Sequence, residues 1–162
     1  ACVSLAVPLP GMKDGLMPAA DVLSHLLSGD DTARLPRTLR IEKQIVDAVQ
    51  TEEFAVIYHN CGDNVKLMTK GIYGIGAMGY HFGNACNMAD MIPDAPADVL
   101  VMGNVDPAAQ INQGTPESVM AATLKVMEEC CYAPNFVISS GCDIPPASSW
   151  ENIDAFFQAA KG

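Results

Sequence analysis

The sequence predicts an α/β fold built on a parallel sheet, and three observations point to it. Short apolar runs alternate along the chain with stretches of helical period. Most of these runs are nearly continuous, as in strands that are buried on both faces. Polar and glycine-rich residues follow directly after the runs. Strands that alternate with helices form βαβ units, in which the strands are parallel.

Five apolar runs are the candidate strands, at residues 2–6, 55–59, 78–82, 99–102 and 136–139. The residues that follow a parallel strand carry most of the chemistry of βα proteins, because the carboxyl ends of the strands meet at one edge. We therefore expect a site where five segments meet: Pro8-Leu9-Pro10-Gly11, His59-Asn60-Cys61-Gly62, His81-Phe82-Gly83-Asn84, Gly103-Asn104-Val105-Asp106-Pro107 and Ser140-Gly141-Cys142-Asp143.

Three helices are predicted between or after these strands. In the clearest one, Thr115 is the N-cap, Pro116 fits the first turn, and Ser118 stands where a strict capping box has Glu or Gln. A second helix begins near Ser148 or Ser149 and continues past Trp150, with Glu151 favourable at its N-terminus. The third covers about residues 40–49, where one face carries Ile41, Ile45, Val46 and Val49. Residues 23–40 form either a loop or a broken helix.

The composition limits the classes of function. The chain has 162 residues and a net charge of −10, which argues against binding to nucleic acid. No apolar run approaches the about 18 residues that a membrane span needs, and no signal peptide is recognisable. We therefore expect a cytoplasmic protein whose six cysteines are reduced and serve packing, metal ligation or catalysis.

His59, Cys61 and Cys142 are the candidate metal ligands. His59 and Cys61 are two residues apart at a strand end, so their side chains leave the same face of the chain. One imidazole and two thiolates suit Zn²⁺, and three protein ligands leave a fourth position open, as in catalytic zinc sites. On spacing alone, however, core packing is the more frequent role of such residues.

The motifs resemble the uroporphyrinogen decarboxylase family in order and spacing. The resemblance rests on four segments: His59-Asn60-Cys61-Gly62, Gly103-Asn104-Val105-Asp106-Pro107, Gly114-Thr115-Pro116-Glu117-Ser118-Val119 and Gly141-Cys142-Asp143-Ile144-Pro145-Pro146. It implies that residues 1–162 are the C-terminal portion, about five βα units, of a (βα)8 TIM barrel. A complete barrel needs about 250 residues, so we expect the N-terminal part to lie outside this chain.

The branch of the family is indicated by the last strand end. The decarboxylases carry a His-Gly-type sequence there, whereas this chain has Gly141-Cys142. A His-x-Cys motif with a later Cys is similar to the zinc signature of the corrinoid-dependent methyltransferases. The resemblance thus implies Zn²⁺ bound by His59, Cys61 and Cys142, a corrinoid carried on a partner protein, and methyl transfer to a small thiol such as coenzyme M.

Other strand-end residues are candidates for substrate contacts or proton transfer. His81, Asn84 and Asn104 are predicted to bind substrate, with a structural role as the alternative for His81. Asp106 and Asp143 are the predicted catalytic carboxylates, and turn formation or capping is their alternative role. Gly62 and Gly141, which have no side chain, are interpreted as allowing a bulky macrocycle or substrate to approach the backbone closely. Cys130-Cys131 is interpreted as packing rather than a redox pair.

The sequence leaves two alternatives to methyl transfer open. One is metal-independent decarboxylation of a porphyrinogen. The other is a non-catalytic half-barrel that folds only as a homo-oligomer or with a partner chain.

Overall fold

A computed structural model describes residues 34–161 of the chain. The predicted strand at residues 2–6, the strand end at residues 8–11 and the sequence up to residue 33 lie outside the described residues. The described part contains four strands: β1 (Ile57–Asn60), β2 (Gly79–Phe82), β3 (Leu100–Val105) and β4 (Phe136–Ser140). These strands correspond to the other four apolar runs.

The four strands form one sheet in the order β1-β2-β3-β4, and every neighbouring pair is parallel. The predicted parallel sheet is therefore confirmed. Parallel strands that pair in chain order, with helices between them, have the arrangement of part of a (βα)8 barrel. In the register, His59 pairs with His81, and His81 pairs with Met102.

Strand β3 is longer than its apolar run. It continues three residues beyond Met102 because Gly103, Asn104 and Val105 pair with Ile138, Ser139 and Ser140 of β4. The prediction that places Asn104 after the strand is therefore wrong. Pairing along β4 outweighs the turn character of Gly-Asn-Val-Asp-Pro.

The helices are α1 (Arg34–Val49), α2 (Thr69–Tyr73), α3 (Met88–Met91), α4 (Pro116–Cys130) and α5 (Trp150–Lys161), with a π-helix at Pro107–Asn112 and 3-10 turns at Val65–Met68 and Ile92–Asp94. At the start of α4, the Thr115 N–H donates to Ser118 Oγ and the Ser118 N–H donates to Thr115 Oγ1. A serine thus completes the capping box that the sequence left without Glu or Gln.

Helix α1 joins the predicted third helix to part of the ambiguous segment. Residues 34–40 are helical, and Pro36 falls in the first turn, where its missing N–H costs no hydrogen bond. Val46, on the predicted apolar face of this helix, is buried in the described part of the chain. The other three residues of that face are about half exposed: Ile41, Ile45 and Val49.

The core lies between the sheet and its helices. Its largest side chains include Tyr80, Phe82 and Met91. The buried Tyr80 hydroxyl donates to the carbonyl oxygen of Tyr73 and accepts hydrogen bonds from the N–H groups of Gly76 and Ala77. A smaller cluster joins β3 to α4 and α5 through Val105, Ile111, Val119, Ala155 and Phe156. Trp150, the first residue of α5, is 76% exposed. Within residues 34–161, none of the helices has the length and apolar character that crossing a bilayer requires.

The adjacent cysteines at the end of α4 have different surroundings. No disulfide joins the cysteines among the described residues. Cys130 is fully buried, and Cys131 is exposed. Burial, together with Glu129 and Cys131, raises the pKa of the Cys130 thiol to about 11. One thiol is thus buried and the other is exposed to solvent, which supports packing as the role of Cys130.

We predict that native protein at pH 8 is alkylated by iodoacetamide at Cys131 and not at Cys130. Only the thiolate reacts, and a thiol with a pKa of about 11 is ionised to roughly one part in a thousand at pH 8. Burial of Cys130 also blocks the reagent. Peptide mass spectrometry after timed labelling measures both sites, and denatured protein is the control in which both react. Equal labelling of the two cysteines in native protein would contradict the packing role.

Candidate metal centre

His59, Cys61 and Cys142 come together at the carboxyl edge of the sheet. His59 lies in β1, Cys61 directly follows β1, and Cys142 lies two residues after β4. One ligand atom from each residue lies within 4.8 Å of the others. Three strand spacings in a flat sheet would separate β1 from β4 by about 14 Å. The side chains meet because they point inward from strands arranged as in a barrel.

The three side chains form a soft donor set that is open to solvent on one side. His59 Nε2 lies 3.8 Å from Cys142 Sγ. His59 Nδ1 is buried and has no hydrogen-bond partner among the described residues. Cys61 is exposed, whereas His59 and Cys142 are half-buried. Two sulfur atoms and one nitrogen atom suit Zn²⁺, and about 3.5 Å separates nitrogen and sulfur ligands on a tetrahedral zinc ion.

The electrostatic surroundings favour the neutral form of His59. Burial lowers the pKa of its imidazole, and the nearby ring of His81 lowers it further. The His81 backbone and the carboxylate of Asp143 act in the opposite direction and are smaller contributions. A neutral imidazole keeps the lone pair that a metal ion needs. The donor set and its protonation therefore fit a zinc ion.

Two glycines hold the loops that carry the cysteines. A Cβ atom on Gly83, after β2, would lie 2.6 Å from Cys61 Cα and Cβ. A Cβ atom on Gly141 would lie 2.5 Å from the backbone nitrogen of Asn84. The backbone after β2 thus packs against the backbone after β1 and against the backbone after β4. The space at Gly141 is filled by Asn84, so its interpretation as room for a substrate is wrong. At Gly62 the nearest atom is the side-chain oxygen of Asn60, at 3.1 Å.

His81 lies beside the three candidate ligands but is not one of the grouped donors. Its ring centroid is 4.7 Å from that of His59, with 31° between the planes. Its Nε2 lies 2.6 Å from the carbonyl oxygen of Ser140 and 3.4 Å from Ser139 Oγ. The structure thus gives this nitrogen a protein partner, and the predicted substrate contact of His81 stays a prediction.

Asn84 and Asp106 form a pair at the ends of β2 and β3. Asn84 Nδ2 donates to Asp106 Oδ2 at 2.9 Å. The other carboxylate oxygen of Asp106 accepts from the N–H groups of Ala108 and Ala109 and caps the π-helix. Capping, the alternative role for Asp106, is therefore present. Its catalytic role and the substrate contact of Asn84 stay predictions.

Asn104 and Asp143 occupy opposite environments. Asn104 is buried, and its Nδ2 donates to the carbonyl oxygens of Gly83 and Cys86. It thereby fixes the turn that follows β2. Asp143 is exposed and close enough to His59 to affect the pKa of that imidazole. The substrate role of Asn104 and the catalytic role of Asp143 stay predictions.

Sequence reasoning missed Gly83 and Ser140 as supporting residues. Both belong to the strand-end segments that carry the candidate site residues. Their contacts, however, are to residues of other strands, which the neighbouring sequence does not indicate. For Gly83 the only local signal is a glycine directly after a strand, which often marks a close backbone approach.

Comparison with known proteins places these features in a family. The chain matches the family described as Uroporphyrinogen decarboxylase (URO-D) over residues 21–162. It is 30% identical over 128 residues to the methylcobamide:CoM methyltransferase MtbA of Methanosarcina mazei, covering 76% of this chain and 34% of that protein. The protein of the same name from Methanosarcina acetivorans is 27% identical over 125 residues, with the same coverage.

A solved structure has the same fold. The methyltransferase from Methanosarcina mazei superimposes with a TM-score of 0.64 at 18% identity, covering 76% of this chain and 34% of that one. The chain therefore spans about a third of the length of the relatives that it matches.

Proposed function

Because the chain belongs to the uroporphyrinogen decarboxylase family, we propose that it carries the zinc site of a corrinoid-dependent methyltransferase. The observation that supports this function is the convergence of His59, Cys61 and Cys142 within 4.8 Å. The methyl group would come from a corrinoid on a partner protein, and a small thiol such as coenzyme M would accept it. The names of the two curated relatives point to the same donor and acceptor.

His59, Cys61 and Cys142 would hold the metal and leave one position for the acceptor thiol. Zinc in such a site lowers the pKa of a coordinated thiol and keeps it anionic near neutral pH. The exposed carboxylate of Asp143, which is close enough to His59 to raise the pKa of that imidazole, would accept the proton that the thiol releases. The chain thus provides both the binding position and a base for the departing proton.

The exposed side of the site suits a large second substrate. Cys61, Asn84 and Asp143 are all exposed at the carboxyl edge of the sheet. Asn84 directly contacts the backbone at Gly141, next to Cys142, and is tied to Asp106. We assign Asn84 and Asp106 to the rim that contacts the incoming corrinoid, with Asn104 supporting the loop beneath. We also propose that the protein acts in the cytoplasm, as the sequence predicts.

The experiment that tests this function measures metal and thiol binding by the purified chain. We expect about one equivalent of zinc after dialysis, because three protein ligands suffice for tight binding. Substitution by Co²⁺ makes the site visible, and adding coenzyme M should change the Co²⁺ absorption spectrum. Methyl transfer from free methylcobalamin to coenzyme M should stop on chelation and return with zinc.

The rival decarboxylase function predicts a different result. It needs no metal, so a chain that binds no zinc, and whose Co²⁺ form does not respond to a thiol, would contradict the proposed methyl transfer. Size-exclusion chromatography of the same preparation tests the half-barrel alternative, which predicts an oligomer without either response.

A further inference from the structure

His81 touches two parts of the metal site at once. It pairs in register with His59, and the two rings pack with their centroids 4.7 Å apart. Its Nε2 lies 2.6 Å from the carbonyl oxygen of Ser140, at the end of β4. Because a carbonyl oxygen only accepts, Nε2 carries the proton and donates it to this hydrogen bond. The side chain thus reaches from β2 across β3 to β4.

The segment that receives this hydrogen bond carries Cys142. Within it, Ser140 Oγ donates to the carbonyl oxygen of Cys142 at 2.8 Å. The Gly141 N–H donates to the carbonyl oxygen of Val105 at 2.7 Å. The first bond closes the Ser140–Cys142 turn, and the second attaches the turn to β3. A shift of the Ser140 carbonyl would therefore also move Cys142.

We propose that His81 is a positioning residue, which holds the imidazole of His59 and the Ser140–Cys142 turn in the arrangement that binds zinc. This inference rests on the proposed function. One face of His81 restricts the ring of His59, and the Nε2–H fixes the strand end that carries Cys142. Supporting contacts of this kind orient metal ligands, and their loss typically costs 10–100-fold in metal affinity.

Three variants separate the ring contact from the hydrogen bond. His81→Phe keeps an aromatic ring beside His59 but has no N–H for Ser140. His81→Gln provides an N–H donor without the ring, and His81→Ala removes both contacts. Met102→Leu is the control, because Met102 pairs with His81 in the sheet and the substitution preserves volume. Zinc affinity is measured by competition with a chromophoric chelator, and the Co²⁺ spectrum reports ligand geometry.

We expect zinc affinity to fall about 10–100-fold in His81→Phe and His81→Ala, with a changed Co²⁺ spectrum in both. His81→Gln, which keeps a donor, should bind zinc more tightly than His81→Ala, which lacks both contacts, and Met102→Leu should resemble the wild type. Thermal unfolding of the metal-free proteins shows whether each variant is folded. Wild-type affinity and spectrum in folded His81→Phe and folded His81→Ala would overturn the positioning role. Absence of zinc from the wild type would instead overturn the proposed function.

Discussion

Cys142→Ala is expected to weaken zinc binding by at least about 100-fold, which exceeds the usual cost of changing a residue that only supports a ligand. Cys142 Sγ lies 3.8 Å from His59 Nε2 and is the only donor of the group contributed by the end of β4. Without it, His59 and Cys61 from a single strand end remain, and two ligands do not hold zinc tightly. Zinc content after dialysis and chelator competition measure the effect.

Cys131→Ala is the matched control for this experiment. Cys131 is exposed at the end of α4 and does not belong to the group of donors. We expect its zinc affinity to equal that of the wild type. A Cys142→Ala protein that retains zinc unchanged would contradict the assignment of the ligands, and with it the proposed chemistry.

Gly83→Ala is expected to abolish zinc binding although every candidate ligand is retained. The added Cβ atom would lie 2.6 Å from Cys61 Cα and Cβ, far inside van der Waals contact. Gly83 is buried at the end of β2, so the strain moves the backbone of Cys61 rather than a flexible side chain. Overpacking of this kind also costs about 1–3 kcal/mol of stability. Zinc content and the midpoint of thermal unfolding report the two effects separately.

Gly62→Ala tests whether any added methyl group near Cys61 has the same effect. A Cβ atom on Gly62 meets the side-chain oxygen of Asn60 at 3.1 Å, and a shift of a few tenths of an ångström relieves this contact. We expect zinc binding within a few-fold of the wild type, although Gly62 is adjacent to Cys61 in sequence. Wild-type zinc affinity in Gly83→Ala would show that Cys61 does not need its observed position.

The parallel sheet was predictable because it depends on local composition. Four apolar runs match four strands to within about three residues, and the alternation with helices predicts parallel pairing. The end of β3 was not predictable in this way. Gly103 and Asn104 have the composition of a turn, and only their pairing with β4 makes them strand residues.

Only the local part of the candidate site was predictable from the spacing of its residues. The two-residue spacing of His59 and Cys61 predicts a shared face, but Cys142 is 83 residues from His59 and has no local link to it. Resemblance to a family joined them at the level of sequence. The packing of Gly83 on Cys61 and the hydrogen bond from His81 to Ser140 depend on the positions of three strands, which composition does not encode.

The separation of His59 and Cys142 along the chain has a consequence for chain entropy. A metal ion held by both residues would close a loop of 83 residues and restrict the unfolded ensemble. A covalent link between the same positions would lower the unfolded-state entropy by an amount worth about 4.5 kcal/mol at room temperature. A bound metal ion also restricts the conformations of the unfolded chain. Its effect is smaller than that of a covalent link, because its ligands exchange. Formation of the site would therefore also make the unit from β1 to β4 unfold more cooperatively.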